Sequence, residues 1–201
     1  MSDRKPISSG VFKDIGEAEH YDRESAMWMR NVVKGFASAA KGWGVTSGKI
    51  LDIGSGSGLR TIELARMLPG VQLIGLDLSE PVLDRARQNA RDGGVADRVS
   101  FKKGDAEHIP FDDGTFDMVI CLSTLHLLSD PVKLFDETQR VLKPEGKFYI
   151  RDYRRTWMGL LSPHIRACYT PREVKKLLKQ SKLQNWKVKG GIFWLNILTR
   201  D

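Results

Sequence analysis

Cysteine is almost missing from this chain: Cys121 and Cys168 are the only two in 201 residues. Two thiols build neither a disulfide framework nor a structural zinc site, which takes about four ligands. Cys121 stands inside Met118-Val119-Ile120-Cys121-Leu122 and reads as a small core residue. No metal is expected. Also lacking is any apolar run near the roughly 20 residues of a membrane-spanning helix. The opening Met1-Ser2-Asp3-Arg4-Lys5-Pro6 is polar and leads into no stretch of signal-peptide type, so a cytoplasmic setting is expected. Internal repeats, low-complexity tracts and linkers are absent too, which points to a single domain over 1–201.

Acidic residues are scarce in one region only. From Lys143 to Asp201 there are 14 Lys/Arg against 4 Asp/Glu, a net of +10; with 32 and 25 in the whole chain, the first 142 residues carry 18 and 21, a net of −3. A basic C-terminal third could steer an anionic acceptor or a nucleic acid. The alternative is a solvated helix face, since Lys175, Lys176, Lys179 and Lys182 interleave with Val174, Leu177, Leu178 and Leu183 at helical spacing.

What the chain does have is alternation. Apolar strand-like runs at Lys49-Ile53, Gln72-Leu76, Val99-Lys102, Phe116-Leu122 and Lys147-Arg151 are separated by amphipathic stretches such as Leu59-Leu68, Glu80-Arg91 and Pro131-Leu142. Thr170, Pro171 and Glu173 predict a capped helix start. Trp186-Lys189 and Ile192-Thr199, parted by Gly190-Gly191, predict a closing hairpin. The pattern predicts an α/β, Rossmann-like doubly wound sheet of seven mostly parallel strands, with an antiparallel C-terminal strand and helices on both faces. The first 45 or so residues fall outside the alternation and read as one or two helices.

Ligands of such sheets bind beyond the C-terminal strand ends. Asp52-Ile53-Gly54-Ser55-Gly56-Ser57-Gly58 follows the first strand, where glycines allow a sharp turn and close backbone approach. Asp77 follows the second, 21 residues after Gly56, the interval at which a carboxylate can accept both ribose hydroxyls. Lys103-Gly104-Asp105-Ala106-Glu107 follows the third, where a carboxylate could meet an adenine amine.

Together these segments resemble class I S-adenosylmethionine-dependent methyltransferases. Leu51-Asp52-Ile53-Gly54-Ser55-Gly56-Ser57-Gly58 looks like their first motif, and Gly75-Leu76-Asp77-Leu78-Ser79 their second. Gly104-Asp105-Ala106-Glu107-His108-Ile109-Pro110-Phe111 resembles the third. Phe116-Ile120 and Arg140-Lys147 continue in family order, closest to the small-molecule, ubiquinone- and menaquinone-biosynthesis-like branch. The resemblance implies S-adenosylmethionine as cofactor and S-adenosylhomocysteine as product. It implies that Asp52, Gly54, Ser55 and Gly56 hold the methionine part, Asp77 the ribose, and Leu78, Asp105 and Ala106 the adenine, with Ser123 bordering the sulfonium. Tyr21 would close over the cofactor. The chain would then comprise a helical cap (1–45), a cofactor-binding core (46–152), and a C-terminal helix with the closing hairpin (153–201).

Methyl transfer can run largely on alignment, so no catalytic triad is required. His126, just past the fourth strand, is the candidate base, against a packing role. Arg151 and Arg154, with Arg155 and Arg166, are candidates to hold an anionic small-molecule acceptor, against a role as solubilising charges. A nicotinamide oxidoreductase is disfavoured because Leu59 occupies the place of its last fingerprint glycine. A non-catalytic binding module and a nucleic-acid methyltransferase remain as alternatives; the latter lacks a recognition domain. Monomer and homodimer are both left open.

Overall fold

A computed structural model describes residues 15–160 and 162–200 of the chain. Strands β1 (Gly48–Ile53), β2 (Val71–Asp77), β3 (Val99–Lys103), β4 (Phe116–Leu122), β5 (Leu142–Tyr153), β6 (Trp186–Gly190) and β7 (Trp194–Thr199) form one sheet in the order β3-β2-β1-β4-β5-β7-β6. β1 to β5 are mutually parallel, and β7 runs antiparallel between β5 and β6. The expected doubly wound sheet is present, with its order reversing between β1 and β4.

Helices α1 (Ile15–Gly42), α2 (Leu59–Met67), α3 (Glu80–Asp92), α4 (Pro131–Val141), α5 (Pro163–Ala167) and α6 (Pro171–Leu178) surround it. Successive strand residues face opposite sides, and here both sides are covered, so the central strands are largely apolar on both faces, with the buried Asp52 and half-buried Asp117 as exceptions. Met118, Ile120 and Leu122 join one core with α1, α2 and α3, whereas Val119 and Cys121 join the other with α4 and α6. In α1 the buried Val32, Val33, Phe36, Ala37 and Ala40 recur at helical spacing, and Phe36 meets Tyr149 edge-on at 4.8 Å. No helix among the described residues is long and apolar enough to cross a membrane.

Local chemistry sets several boundaries. Asp130 caps α4 by accepting the Val132 N–H at 3.1 Å, with Pro131 at the first helical position. At α6 the expected reciprocal cap is formed: Thr170 N–H donates to Glu173 Oε2 at 2.9 Å, and Glu173 N–H to Thr170 Oγ1 at 3.3 Å.

α1 is one continuous helix of 28 residues, one of the two arrangements the sequence left open. Two details depart from the sequence reading. β5 begins at Leu142, and the predicted Lys143-Pro144-Glu145-Gly146 turn survives as a register break between the Phe116↔Leu142 and Met118↔Lys147 pairs. The hairpin turns one step later than the glycine pair suggests: Gly190 still pairs with Leu195, and Gly191 N–H donates to Trp194 O at 2.7 Å. Ile192 and Phe193 therefore occupy the corner instead of starting β7.

The segment between β3 and β4 is fastened to α4 through Arg140, which also pairs with Asp113 at 2.8 Å. Arg140 grips Glu137 at 2.7 Å and donates to the carbonyls of Ile109 and Phe111, at 2.8 and 2.7 Å, while Ile109 N–H donates to Glu137 at 2.7 Å. The Arg140 hydrogen bond, against partial burial, holds the Glu137 carboxyl below its ordinary value. A carboxyl with a depressed folded-state pKa stabilises above its unfolded value and loses that contribution as pH falls through the folded one. Glu137→Gln should lower stability by about 1–2 kcal/mol at neutral pH. The gap between variant and parent in urea melts should close in acid, below the ordinary carboxylate range.

Candidate active site

The loops that leave β1, β2 and β3 lie side by side at the C-terminal edge of the sheet, next to the β1/β4 reversal. They are tied to one another through the backbone. Gly54 N–H and Ser55 N–H both donate to Leu76 O, at 2.8 and 3.0 Å, and Gly104 N–H donates to Asp77 O at 3.0 Å. Gly54 has a left-handed φ of 70°, and a Cβ there would stand 2.1 Å from Thr124 Oγ1. Only glycine fits, because the β4 exit presses directly on this turn.

Asp77 bridges two loops. Its Oδ2 accepts the Gly56 N–H at 2.9 Å and its Oδ1 the Ser79 N–H at 3.1 Å. The carboxylate stays partly exposed, and Leu78 beside it is 44% exposed, an apolar side chain turned to the crevice edge instead of the core. Asp105 Oδ1 accepts the Glu107 N–H at 2.8 Å, and Ala106 is buried. Glu107 in turn accepts from Ser129 N–H and Asp130 N–H, both at 2.9 Å, which ties the third loop to the start of α4.

Ser123 ends β4 in the left-handed region, φ 54°, a conformation that costs a non-glycine residue about 1–3 kcal/mol. Its N–H donates to Arg151 O at 2.9 Å, and its buried hydroxyl has no hydrogen-bond partner among the described residues. A strained residue with an orphaned hydroxyl at the β4 exit is a local sign of a ligand, and the buried Ser55 hydroxyl in the glycine loop is unpartnered among the described residues too.

Residues 46–194 match the methyltransferase domain family. This chain belongs to that family. It is 30% identical over 199 residues to the biotin biosynthesis bifunctional protein BioHC of Teredinibacter turnerae, covering 92% of this chain and 34% of that protein. With the demethylmenaquinone methyltransferase of Lactiplantibacillus plantarum it shares 40% identity over 116 residues, 57% of this chain and 48% of the relative. The chain thus spans about a third to a half of the length of these curated relatives. A crystal structure of a SAM-dependent methyltransferase from Aquifex aeolicus superposes with a TM-score of 0.74 at 22% identity, over 93% of this chain and 98% of that one, and shares the fold.

In this methyltransferase-family chain, other site residues stand differently from expectation. Asp52 is fully buried, and its carboxylate is taken by Arg60 at 2.7 and 3.1 Å and by Thr61 Oγ1 at 2.6 Å. It reaches the glycine loop only through Arg60, whose Nη2 donates to Gly54 O at 2.9 Å. Ser55 is buried with its Oγ toward β2, where a Cβ on Gly75 would lie 2.7 Å from it.

His126, the candidate base weighed against a packing role, is 1% exposed. Its Nδ1 lies 2.7 Å from Asp152 Oδ1 and its N–H donates to Asp152 Oδ2 at 3.0 Å, so the ring braces the β4 exit against β5 and leaves no edge to solvent. Cys168 is buried near this pair. His164 on α5 packs edge-on against the His126 ring at 4.5 Å and is itself exposed. Partial burial, and next the neighbouring His126, hold its imidazole below the ordinary histidine value against the pull of Asp152. Arg151 lies over the Trp194 ring at 4.5 Å, and Arg154 Nη1 donates to Gly191 O at 2.6 Å. The side chain of Tyr21, within α1, lies outside the described residues.

Sequence reasoning missed Arg60, Glu107 and His164. Arg60 carried a signal: a cation in the first turn of α2 opposes the helix dipole unless an anion holds it, and Asp52 ends the preceding strand. For His164 no signal exists, because α5 has no counterpart in the alternation.

Replacing one partner of the Asp52–Arg60 pair leaves the other charge buried and alone. Arg60→Ala should destabilise by about 3–5 kcal/mol in denaturant melts, whereas Arg60→Lys, a compact charge without the planar fork, should fall between. Equal stability of Arg60→Ala and the parent would remove the pair from its structural place.

Proposed function

We propose that this chain transfers a methyl group from S-adenosylmethionine to a small-molecule acceptor. One observation carries the reading: the three loops are strapped to one another at the C-terminal sheet edge, and at the reversal point the β4 exit holds the strained Ser123 with its unpartnered buried hydroxyl. The residues present fit an adenosyl ligand. Asp77 would accept the ribose hydroxyls while its bond to Gly56 keeps the loop in place; Leu78 and Ala106 would flank the adenine, and Asp105 its amine. Gly54, Ser55 and Gly56 would line the methionine part with backbone, under Tyr21, and Asp52 would act through Arg60 as a positioning residue. When bound, the cofactor supplies the activated methyl group.

The chain's own task is to orient the acceptor in line with that methyl group and to accept a proton where the acceptor has one. Ser123 would border the reaction centre. His126 and Asp152 would hold the β4 and β5 exits, while His164, neutral near pH 7, would present the accessible imidazole. Arg151 and Arg154 would favour an anionic acceptor. We treat residues 1–201 as one methyltransferase unit, with helical cap, cofactor core and closing hairpin, in a cytoplasmic setting that suits two buried thiols.

Calorimetric titration with S-adenosylmethionine and S-adenosylhomocysteine tests the reading. Micromolar binding is expected, weakened about tenfold or more in Asp77→Asn, a change that keeps one acceptor oxygen and gives up one of the two backbone N–H bonds, so the variant's melt is compared with the parent's. Failure of the folded parent to bind either ligand, or binding of NADH in their place, would sink the assignment.

A further inference from the structure

The β6–β7 turn carries two large apolar side chains at its corner, Ile192 at 76% and Phe193 at 56% exposure. The turn is fixed to the exit of β5: Arg154 N–H donates to Phe193 O at 2.8 Å, and Trp194 stacks on Tyr153 at 4.6 Å. Three residues past Arg154, no more than about 11 Å of chain, a short 3-10 turn (Trp157–Leu160) begins with Trp157 74% exposed and Met158 39% exposed. β7 starts opposite the last residue of β5, so this apolar group borders the same edge as the candidate site. Apolar side chains scattered singly over a surface need no explanation, but four large ones on adjoining turns mark an interaction surface.

Cations surround it. Arg154 bonds the turn, Arg166 Nε donates to Gly159 O at 3.1 Å within the 3-10 turn, and Pro171, next to Arg172, would lie 3.0 Å from a Cβ on Gly190. Lys189 precedes the turn on β6. The nearby acids are already engaged: Asp152 is buried on His126, and Glu173 is held by Arg155 and Thr170.

We propose that this rim is a docking surface for an anionic phospholipid bilayer. The apolar side chains are exposed on two turns with arginine and lysine in or next to them. A fluid interface accepts such tips without a matching concave partner, and a tryptophan ring settles at headgroup depth while arginine and lysine meet the phosphates. Docked this way, the crevice mouth faces the membrane, and an amphipathic acceptor enters without crossing water. That last consequence rests on the methyl-transfer reading; the surface itself does not.

The test is co-sedimentation of the full chain with vesicles of phosphatidylcholine containing about a third phosphatidylglycerol, against pure phosphatidylcholine. The parent should bind the anionic vesicles about tenfold or more tightly than the neutral ones, and less as salt is raised. Ile192→Ser/Phe193→Ser and, separately, Trp157→Ser, each checked for a parental melt, should lose about tenfold of that binding. No sedimentation with either vesicle overturns the proposal, as does unchanged binding by both variants, which would leave charge alone as the cause. A parent that is dimeric in sedimentation velocity, ignores vesicles and becomes monomeric in the double variant would make the patch a contact between two copies. Vesicle binding without adenosyl binding in the parent would retire the methyltransferase reading and leave this surface standing.

Discussion

A carboxylate buried at the middle of a parallel sheet must be neutralised where it stands, and Asp52 is neutralised by Arg60 from the adjoining helix. The fork of that guanidinium takes both carboxylate oxygens and still reaches Gly54 O and, at 3.4 Å, Leu122 O. One ion pair therefore fixes the end of β1, the first turn of α2, the glycine turn and the last residue of β4. The glycine turn shares this hold with the straps from its N–H groups to Leu76 O and to the Asp77 carboxylate. Thr124 presses on that turn from β4, so an error in the pair would reach both sides of the crevice.

The other half of the site rim is built by a second buried pair. His126 and Asp152 join the exits of β4 and β5, and Tyr153 N–H also donates to Asp152 at 2.6 Å. From there the geometry passes outward through rings: His164 on His126, Tyr153 on Trp194, and Arg151 over Trp194. The antiparallel strand β7 is what brings Trp194 back to the crevice edge. The basic C-terminal third thus does two things at once. Its α6 lysines flank a buried apolar stripe of Val174 and Leu178, as a solvated helix face would, while Arg151 and Arg154 stand at the rim by Trp194 and Gly191.

Much of the fold was legible because both signals that encode it are local. Strand runs such as Met118-Leu122 are apolar throughout where both faces are covered, and caps such as Thr170 with Glu173 act within one turn of chain. The motif loops were legible for a related reason: a glycine that must avoid Thr124 Oγ1 and an aspartate that must bridge to Gly56 leave fixed residue types at fixed spacing. Ser123 was placed at the β4 exit by resemblance, but its left-handed backbone was not visible in its neighbours.

By itself, then, the sequence determined the order of elements and which three loops would lie at one sheet edge, since each follows from short-range patterning and from strand pairing rules. Only the tertiary structure decided which polar groups are spent inside the fold. Asp52 and His126 look like site residues in sequence, yet their partners are 8 and 26 residues away, and burial there makes them braces. The hairpin corner was decided the same way: pairing of Gly190 with Leu195 carried the turn past the glycines and set Ile192 and Phe193 in the open. Long-range pairing energies settle such choices, and no local pattern encodes them.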